Sequence, residues 1–192
     1  MSAWRWNSAI VQTGRFGYHC YVPKDDLQIR RLEPADAALY REIRLEGLRN
    51  NPEAFGNTFE AESARPFSSF SERLRDSEIL GAFEGSEIVG TAGLLVGKGP
   101  KETHKGMLVG MYVRQAARNR GVGRRLVEAV LAIARQRVEL IQLAVVSDNE
   151  SARRLYDRLG FVEYGIERKS LKQDGRYYDE ILMAKDLTQD AG

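Results

Sequence analysis

The pattern of hydrophobic and polar residues becomes regular at residue 27 and from there alternates between strand and helix spacing. Residues 27–30 alternate apolar and polar positions, as a half-buried strand does. A helix is predicted from Pro34 to the Asn-Asn-Pro stop at 50–52, because proline and acidic residues favour a first turn and proline ends a helix. A second helix is predicted at 67–75, after a segment at 53–66 that we expect to be a loop with a short helical turn.

The C-terminal part continues with strands and two further helices. The predicted strands cover residues 79–83, 88–96, 107–113, 140–146, 161–171 and 177–184, and the predicted helices cover residues 121–137 and 150–159. One helix has an apolar stripe at helical spacing, made of Leu126, Val127, Val130, Leu131 and Ala134. Asp174-Gly175 predicts a hairpin between the last two strands. This succession indicates a single mixed α/β domain.

The two ends of the chain differ from this regular part. Residues 1–26 hold both tryptophans and show neither strand nor helix periodicity. We interpret them as an irregular N-terminal extension, with a start-site artefact as the alternative. The folded domain is expected to span residues 27–187, and residues 188–192 are expected to form a tail.

The composition excludes several classes of function. The 192 residues include 29 Lys+Arg and 27 Asp+Glu, so the formal charge is only +2, which argues against a non-specific nucleic-acid binder. Cys20 is the single cysteine, and with His19 and His104 it supplies too few ligands for a Cys/His metal site. No apolar run approaches the ~20 residues that span a bilayer, and the first residues do not resemble a signal peptide. We therefore expect a soluble, cytoplasmic protein without a metal, a membrane or a nucleic-acid partner.

The segment most informative for function leads from strand 107–113 into the helix that begins at Gly121. A helix N-terminus leaves about four backbone N–H groups unpaired, and glycines at 121 and 123 allow a ligand to approach the backbone. Arginines at 118, 120, 124 and 125 add positive charge, with no acid among residues 118–125. These features predict an anion site suited to a pyrophosphate; the alternative is a surface helix that begins with arginines by chance. Neither a Walker loop nor a complete G-x-G-x-x-G fingerprint is present.

Two motifs resemble those of the GCN5-related N-acetyltransferase (GNAT) superfamily. Residues 118–123, R-N-R-G-V-G, resemble its R/Q-x-x-G-x-G/A signature. Residues 149–161, N-E-S-A-R-R-L-Y-D-R-L-G-F, resemble its N-x-x-A-x-x-L-Y-x-x-L-G-F block. The motifs stand in the family's order and separation, and the resemblance is nearest to ribosomal-protein alanine acetyltransferases.

The resemblance implies an α/β fold and a co-substrate. The fold would be a central, mostly antiparallel sheet that splays between its two middle strands and is flanked by helices. Acetyl-CoA would lie in the gap between strands 107–113 and 140–146. The implied cofactor-binding residues are Met111, Tyr112 and Val113 on the strand, Arg118, Asn119, Arg120, Gly121, Val122, Gly123 and Arg124 in the turn and helix start, and Asn149 beside the pantetheine.

The resemblance also implies a catalytic role for Tyr156, which matches the tyrosine that protonates the departing thiolate. A phenol keeps its proton at neutral pH because its ordinary pKa is ~10. A backbone N–H of Val113 or its neighbour could stabilise the oxyanion that forms when an amine attacks the thioester. A plain core aromatic is the alternative, since Tyr156 lies on an apolar stripe four residues after Ala152. Cys20 lies outside the matched region, which favours direct transfer over an acyl-cysteine intermediate.

The general base and the acceptor pocket stay open at this point. The position where the alanine acetyltransferases have a glutamate is Ala144 here, so Glu46, Glu60, Glu102 and His104 are the remaining candidates, acting through water. The acceptor pocket is expected between the N-terminal helices and the C-terminal hairpin. Phe55 and Phe59 are candidates for its lining, with core packing as the alternative, and Asp179 and Glu180 are candidates for holding a cationic acceptor.

Three functions fit these observations. The first is an acetyl-CoA-dependent N-acetyltransferase that acts on a primary amine of a small molecule or of a protein N-terminus. The second is a GNAT-fold domain that binds acyl-CoA as a sensor or scaffold without turnover. The third is a nucleic-acid binder that uses the arginines at 118–125, which the lack of interleaved aromatic residues disfavours. Homodimers are common among the proteins that the chain resembles.

Overall fold

A computed structural model describes residues 27–188 of the protein. The expected N-terminal extension, with Cys20, and almost all of the expected tail lie outside these residues. Within the described range the strands are β1 Leu27–Arg31, β2 Glu78–Glu84, β3 Glu87–Val96, β4 Lys105–Val113, β5 Leu140–Val146, β6 Val162–Gln173 and β7 Arg176–Asp186. The α-helices are α1 Ala37–Asn50, α2 Phe59–Ser63, α3 Ser68–Asp76, α4 Val122–Ala134 and α5 Glu150–Arg158.

The strands form one sheet in the order β1-β2-β3-β4-β5-β7-β6. The pairs on both sides of the centre are antiparallel, and the central pair, β4 with β5, is parallel. The mixed α/β fold with a mostly antiparallel sheet is therefore confirmed. The hairpin predicted at Asp174-Gly175 is present, with Gln173 opposite Arg176.

Each face of the sheet carries its own hydrophobic core. Strand side chains alternate between the two faces, so Leu80 belongs to the core beneath α4 while its neighbour Ile79 belongs to the core beneath α1 and α3. The predicted stripe of α4 is buried throughout. On α1 the buried positions include Tyr40 and Ile43, whereas Leu39 only borders the core.

The N-terminal helices depart most from the sequence expectation. Residues 53–66, expected to be a loop with one helical turn, contain the end of a 3-10 turn (Pro52–Ala54) and the short helix α2. Thr58 caps α2 by accepting a hydrogen bond from the Ala61 N–H at 3.2 Å. The short helical turn expected in this segment is therefore present as α2, and a five-residue helix is too short to show an apolar period that would predict its bounds. No helix between residues 27 and 188 is long and apolar enough to cross a membrane.

Candidate active site

The two central strands separate after a short paired region. β4 and β5 are in register only from Lys105 opposite Leu140 to Met107 opposite Gln142. Beyond Met107 the pairing of β4 with β3 shifts by one residue, and Gly110, at φ 62°, lies in this bulge. Because a bulge bends its strand, β4 leaves β5 here and a gap opens between them, as predicted.

The backbone of β4 offers free groups to this gap. Arg114 donates its N–H to Val89 O on β3 at 2.9 Å, and Tyr112 stands opposite Thr91 on the same strand. Strand residues alternate in the direction of their N–H and C=O groups, so those of Met111 and Val113 face the gap. The backbone of Met111 and the N–H of Val113 thus face the gap, whereas the Val113 carbonyl accepts a hydrogen bond from Arg118 Nε at 3.0 Å and the backbone of Tyr112 faces β3.

The side chain of Tyr112 lies on the α1 face of the sheet. Its hydroxyl donates to Glu46 Oε1 at 2.9 Å and accepts from Asn50 Nδ2 at 3.4 Å. Burial raises the pKa of this phenol, and the hydrogen bond to the Glu46 carboxylate adds to the increase. The residue therefore anchors α1 to β4 rather than presenting its side chain to the gap.

The turn that follows β4 ends at a helix start with unpaired donors. Asn119 and Gly121 both have positive φ angles, 59° and 83°, a conformation that glycine adopts at no steric cost. The first backbone hydrogen bond of α4 runs from the Arg125 N–H to Gly121 O at 3.1 Å. The N–H groups of residues 122–124 precede it and have no backbone partner within residues 27–188.

The arginines around this turn have partners of their own. Arg120 pairs with Glu84 at 2.9 Å, and Arg124 pairs with Glu128 at 2.7 Å. Arg118 donates to Val113 O, and Arg125 donates to Leu27 O at 2.7 Å. The uninterrupted positive charge predicted from residues 118–125 is therefore partly balanced by Glu84 and Glu128, and the backbone N–H groups of residues 122–124 add donors for an anion.

Helix α5 lies against the start of α4. A Cβ atom at Gly123 would come within 3.1 Å of Met111 Cε and 3.4 Å of Leu155 Cδ2. Gly123 therefore allows β4, α4 and α5 to approach one another, a role that the motif alone did not reveal. Asn149 caps α5 through a hydrogen bond from the Ala152 N–H to its Oδ1 at 3.1 Å, so this side chain has a structural role independent of any cofactor.

Tyr156 is buried, with 5% of its surface exposed, and its ring meets Phe161 edge to face at 5.8 Å between centroids. No group within residues 27–188 hydrogen bonds to its hydroxyl. Burial raises the pKa of this phenol well above its usual value. Among residues 27–188, the Tyr156 hydroxyl is thus a protonated donor without an acceptor.

The candidates for a general base lie in different places. The backbone carbonyl of His104 accepts hydrogen bonds from Glu139 and Leu140 at the paired end of β4 and β5, seven residues or about 23 Å from Met111 at ~3.3 Å per strand residue. Glu102 precedes β4 at the same end.

The other candidates lie elsewhere in the fold. Glu46 is engaged with Tyr112 and with Arg114 Nε at 2.9 Å. Glu60 is exposed on α2, and Ala144 is exposed on β5. The structure brings none of these side chains together.

The residues proposed for the acceptor pocket take up other roles. Phe55 borders the core beneath α1, and Phe59 lies under the Arg49 guanidinium at 4.4 Å.

The two acids of the C-terminal hairpin are also engaged. Asp179 accepts from the Lys169 N–H and from Arg168, which together hold the pKa of its carboxyl below the usual range. Glu180 accepts from the Ser170 hydroxyl at 2.5 Å. Asp179 and Glu180 thus hold the bulged part of the β6–β7 hairpin together.

A cavity of about 340 Å³ lies instead on the α1 face of the sheet and ends at the β4 bulge. Its lining comes from α1, the α3 region, β2, β3 and β4. The lining residues are Tyr40, Arg44, Arg73, Ser77, Ile79, Gly93, Leu95, Val109 and Gly110. Sequence reasoning missed this cavity, because residues far apart in the chain form it and none of them belongs to a motif.

Beside the cavity, a fully buried carboxylate holds three guanidiniums. Glu62 contacts Arg73 at 2.5 Å, Arg65 at 3.4 Å and Arg44 at 3.6 Å, and it accepts a short hydrogen bond from Asn57. Burial alone would raise the pKa of Glu62, but the three arginines hold it below the usual range. Glu62 is therefore the charged centre that joins α1, α2 and α3.

Replacing Glu62 by glutamine is expected to destabilise the protein by about 3 kcal/mol, because three guanidiniums then lose their buried counter-charge. Denaturant unfolding at pH 7 measures the change, and Glu60→Gln, at an exposed position of the same helix, is the matched control. The lowered pKa of Glu62 makes its contribution complete above about pH 4.5 and lost as the pH falls through the folded-state value. A Glu62→Gln variant as stable as the Glu60→Gln control would contradict this role.

Comparisons with known proteins agree with this geometry. A family model described as "Acetyltransferase (GNAT) family" matches residues 42–161. The L-amino acid N-acetyltransferase AaaT of Escherichia coli (strain K12) is 27% identical over 166 residues, which cover 83% of this chain and 98% of that protein. The N-alpha-acetyltransferase RimI of Mycobacterium tuberculosis is 32% identical over 124 residues, which cover 63% of this chain and 75% of that protein.

The fold also matches solved structures. The structure of yncA from Salmonella typhimurium, determined with its cofactor acetyl-CoA, superimposes with a TM-score of 0.72 at 21% identity. The match covers 88% of this chain and 98% of that one.

Proposed function

This chain belongs to the GNAT family of acetyltransferases, and from that premise we propose that it moves the acetyl group of acetyl-CoA directly to a primary amine. Residues 27–187 form the acetyltransferase domain in this proposal. The pyrophosphate of acetyl-CoA binds the N–H groups of residues 119–124, and the pantetheine runs along β4 between Met111 and Val113. The alternative, an acyl-CoA sensor without turnover, shares this binding site and lacks only the chemistry.

The observation that carries the proposal is the gap itself. β4 and β5 pair over three residues and then separate beside a glycine-led helix start. The gap therefore has backbone donors along one wall and unpaired helix N–H groups at one end. An elongated molecule with amide groups and a pyrophosphate fits this arrangement, and within residues 27–188 no group of acidic, histidine or cysteine side chains could hold a metal ion.

The proposed chemistry uses few side chains. A neutral amine attacks the thioester carbonyl, the carbon–nitrogen bond forms, and the oxyanion accepts from the backbone N–H of Val113, which faces the gap. The carbon–sulfur bond then breaks, and the Tyr156 hydroxyl protonates the thiolate. The attacking amine loses its proton to water, and the Tyr156 phenolate regains a proton from water, which closes the cycle. Much of the acceleration comes from holding the two reactants together.

A panel of amines tests the proposal. Purified protein with acetyl-CoA is incubated with amino acids, polyamines, peptides with free N-termini and amine antibiotics, and released thiol is measured beside mass detection of the N-acetyl product. We expect saturable thiol release with one class of amine and a matching product mass. Tight acetyl-CoA binding without a product from any amine would favour the sensor instead.

The names of the two relatives suggest two classes of acceptor for the panel to compare, free amino acids and protein N-termini. AaaT is named for L-amino acids and RimI for N-alpha acetylation. The panel therefore pairs each free amino acid with a peptide that begins with it. The class with the higher kcat/KM identifies the acceptor.

A further inference from the structure

We infer that the acceptor is a small amine that carries a carboxylate and an apolar side chain, and that the cavity beneath α1 holds it through Arg44 and Arg73. The inference deepens the proposed function and rests on it for the position of the thioester. The lining of the cavity is positively charged. Two arginines and no acidic residue are among its lining residues.

Arg44 has donors without acceptors. Its Nε atom is buried without a hydrogen-bond partner, since the nearest carboxylate oxygen, on Glu62, lies 3.6 Å away. Its guanidinium lies over the Phe55 ring at 4.8 Å, and no group within residues 27–188 accepts a hydrogen bond from its terminal nitrogens. A half-buried guanidinium left in this state favours an anionic ligand, because buried donors without acceptors are costly.

The surrounding charges keep this preference for an anion. Glu62 is shared among Arg44, Arg65 and Arg73, so one negative charge faces three positive charges. Arg73 Nη1 is bound to Glu62 and to the Tyr40 hydroxyl at 3.3 Å, which fixes the guanidinium at the cavity wall. A carboxylate that enters the cavity would meet a net positive potential and planar donors that match its two oxygens. The same potential repels a polyamine.

The remaining walls and the position of the cavity define the rest of the molecule. Ile79, Leu95 and Val109 supply apolar surface, which suits an aliphatic or aromatic side chain. Gly110 lies in the bulge where β4 leaves β5, and Val109 directly precedes it. A ligand held by its carboxylate under α1 can therefore direct its amine toward the gap, and a cavity of about 340 Å³ suits a small molecule.

The wild-type protein provides the first test, which needs no substitution. L-leucine, L-leucinamide and 3-methylbutylamine share an apolar side chain and an amine, and only the first carries a carboxylate. We expect kcat/KM for L-leucine to exceed that for each of the other two by about 10- to 100-fold. The ammonium group of the carboxamide is the most acidic of the three, so amine reactivity at neutral pH favours the amide and cannot produce a preference for the acid over the amide. That comparison is therefore the decisive one, because the ammonium group of 3-methylbutylamine is the least acidic. An amide, an amine or a leucyl peptide used as well as L-leucine would overturn the inference.

Arg44→Gln provides the second test. We expect kcat/KM for L-leucine to fall about 10- to 100-fold, mainly through KM, while kcat/KM for L-leucinamide stays within about threefold. Arg44→Lys should fall between, because it keeps the charge and loses the planar fork. The control is Arg41→Gln, three residues earlier on α1, where the arginine reaches toward Ser63 O and does not line the cavity. Equal losses for the acid and the amide would indicate a structural role only.

Equilibrium binding separates this inference from the proposed function. Calorimetry with L-leucine and L-leucinamide, in the presence of acetyl-CoA, requires no turnover. Binding of the acid without any acetylated product would refute the proposed function and support the carboxylate site. Acetylation of amines without preference for a carboxylate would do the reverse. If neither compound binds or reacts, the inference is wrong.

Discussion

Replacement of Gly121 by glutamate is expected to reduce the affinity for acetyl-CoA by about 1000-fold or more. Gly121 has φ 83° at the N-cap of α4, and no described atom lies within 4 Å of the place where its Cβ would be. A side chain there enters the space that we assign to the pyrophosphate. Its carboxylate would repel the phosphates by about 4 kcal/mol at 4 Å in a partly screened site. Isothermal titration with acetyl-CoA measures the loss.

The matched control for this variant is Gly121→Gln. Glutamine has the same bulk and suffers the same backbone strain, about 1 kcal/mol in this conformation, but carries no charge. We expect its affinity to lie well above that of Gly121→Glu, and thermal unfolding of both variants verifies that each is folded. Similar affinities for the two variants, or a Gly121→Glu protein that binds like the wild type, would place the pyrophosphate elsewhere.

Replacement of Tyr156 by phenylalanine is expected to lower kcat by about 10²- to 10⁴-fold, the usual contribution of a general acid. The affinity for acetyl-CoA and the stability should change little, because the hydroxyl has no hydrogen-bond partner among residues 27–188 and its loss leaves no described group unsatisfied. Steady-state kinetics with the best amine of the panel give kcat, and titration gives the affinity.

Tyr164→Phe is the control for loss of a phenol. Tyr164 is exposed on β6, and its hydroxyl accepts from Gln142 Nε2 at 3.1 Å, so its removal should leave kcat within about twofold. The raised pKa of Tyr156 adds a pH criterion. Because the phenol keeps its proton beyond its ordinary pKa of ~10, we expect no loss of kcat from its ionisation up to that pH. A Tyr156→Phe enzyme with kcat near the wild-type value would reduce Tyr156 to a core aromatic.

The elements that the sequence predicts well are those in which local chemistry and burial agree. The stripe from Leu126 to Ala134 repeats at helical spacing and is buried as expected. Asp174-Gly175 requires positive φ angles that both residues adopt, 49° and 81°, so the turn is determined by two residues. Gly121 likewise belongs to the R-N-R-G-V-G motif and adopts the positive φ angle, 83°, that glycine favours. In each case few distant contacts are needed, and the residues themselves carry the information.

The cavity and its charges could not be predicted in this way. Glu62 follows Glu60 on a five-residue helix, and nothing in the local pattern distinguishes the buried carboxylate from the exposed one. Its burial depends on Arg44 and Arg73, which come from two other helices. A charged residue becomes buried only when its partners are brought to it by the fold, so its environment is a property of tertiary structure.

The charge of the turn at residues 118–125 also could not be predicted from the sequence, because the ion pairs of its arginines depend on the fold. Their sequence positions suggest a patch of free positive charge, but Glu84 and Glu128 reach Arg120 and Arg124 in space. The local charge of a segment is thus a poor measure of its potential once the chain is folded. The direction of the backbone N–H groups, in contrast, is determined by the glycine-containing motif and can be predicted from the sequence.

The separation of β4 from β5 also gives the sheet two edges in its interior. Most sheets have edges only at their ends, where charged side chains, prolines or bulges discourage the addition of foreign strands. Here the gap-facing backbone groups of Met111 and the N–H of Val113 lie in the middle of the molecule without a strand partner on β5, open to any extended chain that can enter. A bound pantetheine would occupy that edge. We therefore expect the protein with acetyl-CoA bound to aggregate less than the free protein, so that acetyl-CoA protects the sheet as well as reacting.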